Sequence, residues 1–145
     1  GSPTKRCSNP FNRAQVPLSH HIDALADGSL TAALPVFFAL LIAHALCDHP
    51  LQGQFLALHK NRRYRPKDNN LPCQSLWLYC LSAHALIHAG GVWLVTGSCL
   101  LGSIELVMHW IIDFLKEERF INLHVDQLLH ASCKVLYVIA LCCWL

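Results

Sequence analysis

A chain of 145 residues fits one domain, yet 54% of it is hydrophobic, only 14% is charged and its mean hydropathy is +0.37. Those values argue against an ordinary water-soluble domain and for one embedded in a membrane. With a formal charge of only +2, and basic residues gathered in one loop, the sequence gives no support to nucleic-acid binding.

Residues 1–29 carry Pro3, Pro10, Pro17 and scattered charges around one amphipathic patch at 16–26. They are read as an extramembrane lead-in, partly disordered or lying on the membrane surface, ahead of a domain at 30–145. The chain opens on Gly1-Ser2 without a methionine, which reads as a tag remnant and leaves any targeting segment undecided. His20 and His21 are adjacent and so cannot share a helix face; they are read as solvated.

From 30 to 47 the chain is almost unbroken apolar sequence, ending at Asp48-His49-Pro50, where proline favours a helix break. Residues 51–60 suit a short interfacial helix, and the loop that follows holds Arg62, Arg63, Arg65 and Lys67. Basic residues beside a span predict a cytoplasmic loop at 60–68. A second span is expected at 73–95, with Trp77 and Tyr79 near one end and Trp93 near the other. Thr96-Gly97-Ser98 allows only a tight hairpin, so a third span at 99–115 returns to the cytoplasmic side and leads into a loop at 116–124. A fourth runs over 125–145. The expected fold is all-α, a four-helix transmembrane bundle with both termini outside, in what reads as a bacterial cytoplasmic membrane. Six of the eight cysteines lie in or beside these apolar segments and no CxxC pair occurs, so they read as small hydrophobes.

The spans carry an unusual polar pattern. Glu105, His109 and Asp113 recur every fourth residue, a step that drifts only about 40° around an α-helix, so they form one stripe. The same spacing joins His44 to Asp48, His84 to His88 and Asp126 to His130. Counting along the helices puts three pairs level near the cytoplasmic face, with His84 and His88 deeper by roughly 5–10 Å at about 1.5 Å per residue. One such pair could be an interhelical hydrogen bond. Four pairs at similar depth instead suggest a shared cation that offsets the cost of ionisable groups in the membrane. The expected metal ligands are His44, Asp48, His84, His88, His109, Asp113, Asp126 and His130, around one or two divalent ions, zinc first and iron or manganese next. A two-metal site with a bridging carboxylate fits so many donors better than one tetrahedral ion.

At these residues the chain resembles domain of unknown function 3307, a family of small bacterial and phage membrane proteins. The matching motifs are His44-Ala-Leu-Cys-Asp48, Leu51-Gln52, Lys60, His84, His109-Trp-Ile-Ile-Asp113-Phe-Leu-Lys116 and Asp126-Gln127-Leu-Leu-His130, spread over 34–145. Where the family often has an aromatic after the first Asp, this chain has His49-Pro50. The family label implies no activity. In motif style alone, the chain is also similar to membrane-bound metal-dependent hydrolases.

The leading functional expectation is therefore a metal-dependent hydrolase acting on a phosphoester or similar bond in a lipid or membrane-proximal substrate. Glu105 would serve as proton acceptor, Lys60 and Lys116 would meet an anionic substrate, and Gln52 and Gln127 would orient substrate or ligands. His49, His59 and His124 flank the site off the four-residue pattern. Two other classes compete. A divalent-cation transporter or channel would need ligands in the outer half as well, where little beyond Thr96, Ser98 and Ser103 is polar, unless a homo-oligomer formed the pore. A membrane adaptor would use the metal only to brace its fold.

Overall fold

A computed structural model describes residues 18–26, 30–64 and 75–144. All regular structure among them is helical, in the order α1 (Leu18–Ala26), a 3₁₀ turn (Leu30–Ala32), α2 (Ala33–Leu46), a π-helical turn (Cys47–Leu51), α3 (Gly53–His59), α4 (Leu76–Thr96), α5 (Cys99–Glu117) and α6 (Leu123–Trp144). Arg65 and Lys67 of the basic loop, and most of the lead-in, lie outside the described residues.

Helix boundaries follow local chemistry. Gly97 ends α4 in the left-handed region at φ 70° and donates its N–H to the Trp93 carbonyl at 2.7 Å. One residue later the Ser98 hydroxyl accepts the Leu101 N–H and caps α5. At the opposite end Asn122 does the same for α6, its side-chain oxygen accepting from Val125 N–H at 3.0 Å.

Proline does not break the first span where the sequence suggested. Pro50 sits inside the π turn, which carries the helix on to Leu51; the wider turn tolerates the missing N–H and relieves the ring's crowding of the preceding turn. The chain changes direction at Gly53 instead, at φ 62°, where α3 begins.

Three helical stretches are long and apolar enough to cross a membrane: Ala33–Leu51, Leu76–Thr96 and Leu123–Cys143. α5 has comparable length, about 28 Å for its 19 residues, but Glu105, Asp113 and Lys116 interrupt its apolar sequence. The four long elements pack in a closed order, α2 on α4, α4 on α5, α5 on α6 and α6 on α2. Polarity is inverted relative to a water-soluble protein. Leu34, Phe38, Leu86, Leu94, Leu100, Val107, Leu136 and Ile139 face outward, whereas Lys134, His84, His88, His109, Glu105, Asp113 and Asp126 are buried. That is the surface of a protein solvated by lipid.

Part of the lead-in joins this body. α1 packs on α2 and α6, with Leu25 fully buried against an apolar cluster that includes Val36, Leu40, Val92, Leu101, Val138 and Leu141. The six cysteines described, Cys47, Cys80, Cys99, Cys133, Cys142 and Cys143, are all free thiols.

Candidate metal centre

The four-residue pairs converge because their helices present them at matching heights. His44 lies seven residues before Leu51, His84 eight after Leu76, His109 eight before Glu117 and His130 seven after Leu123. At about 1.5 Å per residue, each imidazole therefore hangs roughly 10–12 Å from the same end of the molecule. His88, twelve residues after Leu76, lies one further turn or about 6 Å deeper, level with Glu105 twelve residues before Glu117, so the His84/His88 pair keeps the deeper placement expected from the sequence. His84 Nε2 is 3.5 Å and His88 Nε2 3.2 Å from Asp48 Oδ1.

All five imidazoles touch. His88 stacks on His109 with ring centroids 3.6 Å apart, His109 stacks on His130 at 4.2 Å, and His44 lies 4.8 Å from His88 and 4.9 Å from His130. His109 Nε2 and His84 Nε2 face each other at 3.2 Å. Asp48 is the hub, its Oδ1 turned to His84 and His88 and its Oδ2 to His44 at 3.3 Å. Asp48, His84, His88 and His109 each offer a ligand atom within 4.8 Å of the others.

The remaining carboxylates differ in what already holds them. Asp113 is gripped by Lys60 at 2.7 Å and Lys116 at 3.0 Å, with His84 Nε2 at 3.5 Å. Asp126 accepts the Gln127 amide at 3.0 Å through Oδ2, and its Oδ1 lies 3.5 Å from His130 Nε2. Gln127 also reaches Asp48 at 3.5 Å, and Gln52 accepts from Lys60 at 3.1 Å. Glu105 is saturated: Lys134 Nζ approaches Oε1 at 2.5 Å, Tyr137 donates to Oε2 at 2.8 Å and His109 Nδ1 is 3.3 Å from Oε1. The expected proton-accepting role of Glu105 does not fit this arrangement, because both oxygens are occupied on the closed side of the histidines. For the same reason a second group of close donors, His44, His88, Glu105 and His109, lacks a free carboxylate.

Lys134 and Tyr137 were missed by sequence reading. The signal was present, since Asp126, His130 and Lys134 continue one four-residue stripe that runs antiparallel to Glu105, His109 and Asp113. Lys134 thus falls opposite Glu105.

A cleft of about 460 Å³ leads to Asp48 and is lined by Asp48, His49, Gln52, Lys60, Lys116 and Gln127 among others. Beside it, the turn after α3 is tied to the end of α5: Asn61 donates to Glu117 at 2.8 Å, and Arg62 and Arg63 both pair with Glu118. His59 takes no part in the centre, its Nδ1 lying 2.9 Å from the Phe55 carbonyl and its ring stacked on Phe55. His124 is exposed at the start of α6.

A metal ion can be tested against this donor set. Among the described residues, six buried side-chain atoms lack a hydrogen-bond partner: His59 Nε2 away from the centre and, within it, His44 Nδ1 and Nε2, His84 Nδ1, His88 Nε2 and Asp126 Oδ1. The contacts of His44 and His88 with Asp48 have ion-pair distances but not hydrogen-bond geometry. Each orphaned polar atom costs about 1–3 kcal/mol, and this cluster holds several of them together. Imidazole and carboxylate are borderline-to-hard ligands, and a bound cation would satisfy them jointly.

Residues 36–144 match the family described as "Protein of unknown function (DUF3307)". The chain belongs to DUF3307. No curated protein and no solved structure matches it. The DUF3307 match takes in every residue of the centre, from His44 to Tyr137, and leaves α1 outside.

Proposed function

We propose that this DUF3307 chain is an integral-membrane, metal-dependent hydrolase. In this reading α2, α4, α5 and α6 form a four-helix transmembrane bundle, and Asp48, His84, His88 and His109 hold a divalent cation, with zinc the first candidate and iron or manganese the alternatives. His44, Asp126 and His130 border it and would serve a second ion. The charge inventory supports this. Lys134 offsets Glu105, and Lys60 and Lys116 offset Asp113, so of the carboxylates in the centre Asp48 and Asp126 are the two without a lysine partner at hydrogen-bonding distance. Their combined charge matches one divalent cation.

The observation that carries the reading is one-sidedness. The polar cleft opens toward Asp48, Lys60 and Lys116, while beyond the Glu105–Lys134 level the interior closes with Val36, Leu40, Val92, Leu101, Val138 and Leu141. A site reached from one end suits chemistry on a bound substrate better than passage of an ion through this chain.

A bound divalent cation would supply a water of lowered pKa and polarise an ester oxygen. Lys116, whose side chain keeps 27% exposure, is placed to meet an anionic substrate group, with Lys60 behind it. With a single ion bound, Asp126 Oδ1, which has no hydrogen-bond partner and lies 3.5 Å from His130 Nε2, replaces Glu105 as the candidate proton acceptor. These features favour a phosphoester or similar anionic ester at the membrane face. Arg62 and Arg63, with Arg65 and Lys67 in sequence, favour the cytoplasmic side.

The test is elemental analysis of protein purified in detergent without chelators, paired with assays on chromogenic phosphomonoester, phosphodiester and carboxylester probes. Roughly one or two equivalents of metal are expected, lost in His109→Ala and Asp48→Asn together with turnover. Wild-type protein free of metal would sink the reading. Metal that is retained without turnover of any ester would favour the bracing role.

A further inference from the structure

The centre has a floor that the proposed chemistry does not use. Lys134 is 1% exposed and sits eleven residues into α6, about 16 Å from the helix start. Its ammonium does not snorkel to water. It meets Glu105 Oε1 instead, while Tyr137 OH donates to Oε2 and the ammonium also lies 5.6 Å from the Tyr137 ring centre. A buried ion pair contributes little net stability, and apolar side chains of similar volume often serve as well or better. Stapling α5 to α6 therefore does not by itself explain why a charged pair stands here.

Geometry supplies a second role. Glu105 Oε1, held by Lys134, also faces His109 Nδ1 at 3.3 Å. A carboxylate that accepts Nδ1–H leaves Nε2 as the nitrogen with the free lone pair, and His109 Nε2 is the atom facing His84. The imidazole is fixed in both tautomer and orientation from below, with His88 and His130 stacked on its two sides.

We infer that Lys134 and Tyr137 are positioning residues of the metal centre: they anchor Glu105, and Glu105 turns His109 Nε2 toward the ion. This inference rests on the metal reading above and adds a role for three residues outside the ligand set.

Zinc titration of the full-length protein in detergent, with cobalt(II) absorption as a report on ligand geometry, provides the test. Lys134→Met is expected to weaken zinc binding about 10–100-fold, the usual range for loss of an outer-shell partner, and to alter the cobalt spectrum. The double variant Lys134→Met/Glu105→Gln removes both charges while keeping an oxygen for His109 Nδ1–H, and should recover most of the affinity. Tyr137→Phe, the mildest change, should weaken binding several-fold and serves if Lys134→Met does not fold. Wild-type affinity in Lys134→Met or in Tyr137→Phe, or no recovery in the double variant, would overturn the inference and leave the metal reading standing. Absence of zinc binding in the wild type would overturn both.

Discussion

Two buried lysines meet two buried carboxylates in this molecule, and their surroundings set different penalties. Asp113 keeps Lys116 when Lys60 is removed, and Lys116 has partial access to solvent. Among the described residues Glu105 has no second lysine or arginine in contact, only Tyr137 and His109. Lys134→Met should therefore destabilise the protein by about 3–5 kcal/mol, the range for breaking a buried pair. Lys60→Met should cost clearly less, and thermal unfolding in one detergent would rank the two. Most of the candidate centre was legible at this scale because four-residue spacing on apolar helices is a direct geometric statement. Glu105 and Lys134 were not, because spacing tells which residues share a face and not which of them neutralise one another. A carboxylate on the right stripe is a free base or a clamped support depending on a neighbour one helix away.

Among the elements, α4 and α5 approach closely at Gly102, where a Cβ would meet the Ala89 carbonyl and Trp93 Cβ, each at 3.1 Å. Neither neighbour is the flexible tip of a side chain, so the helices themselves must part. Gly102→Val should cost about 1–3 kcal/mol as overpacking, seen as a lower unfolding temperature. Gly53 is a different case: nothing lies within 4 Å of its Cβ position, and only its φ of 62° resists a side chain. Gly53→Ala should cost about 1–2 kcal/mol through the backbone alone. The number and order of the long helices could be read from apolar runs and the tight Thr96-Gly97-Ser98 turn. The π turn could not, because Pro50 carries the same sequence signal whether it stops a helix or is absorbed by a wider turn.

At the scale of the whole molecule, the interior is more polar than the exterior, so burial of apolar surface from water is not what holds the assembled helices together in lipid. Packing and satisfied polar contacts take that part. The apolar half beyond Lys134 also predicts that the purified chain reconstituted in liposomes will not pass zinc or manganese; measurable flux of either ion would count against a closed interior. Among the described residues one polar cleft leads to Asp48, and a shared way in and out imposes an order on traffic. Whatever is released near Asp48 must leave past Lys116 and Gln127, along the way the next molecule enters, so for the proposed hydrolysis the anionic product should compete directly with substrate. Turnover would then be limited by how quickly the mouth clears, and the lysines that capture a substrate would also be what delays its departure.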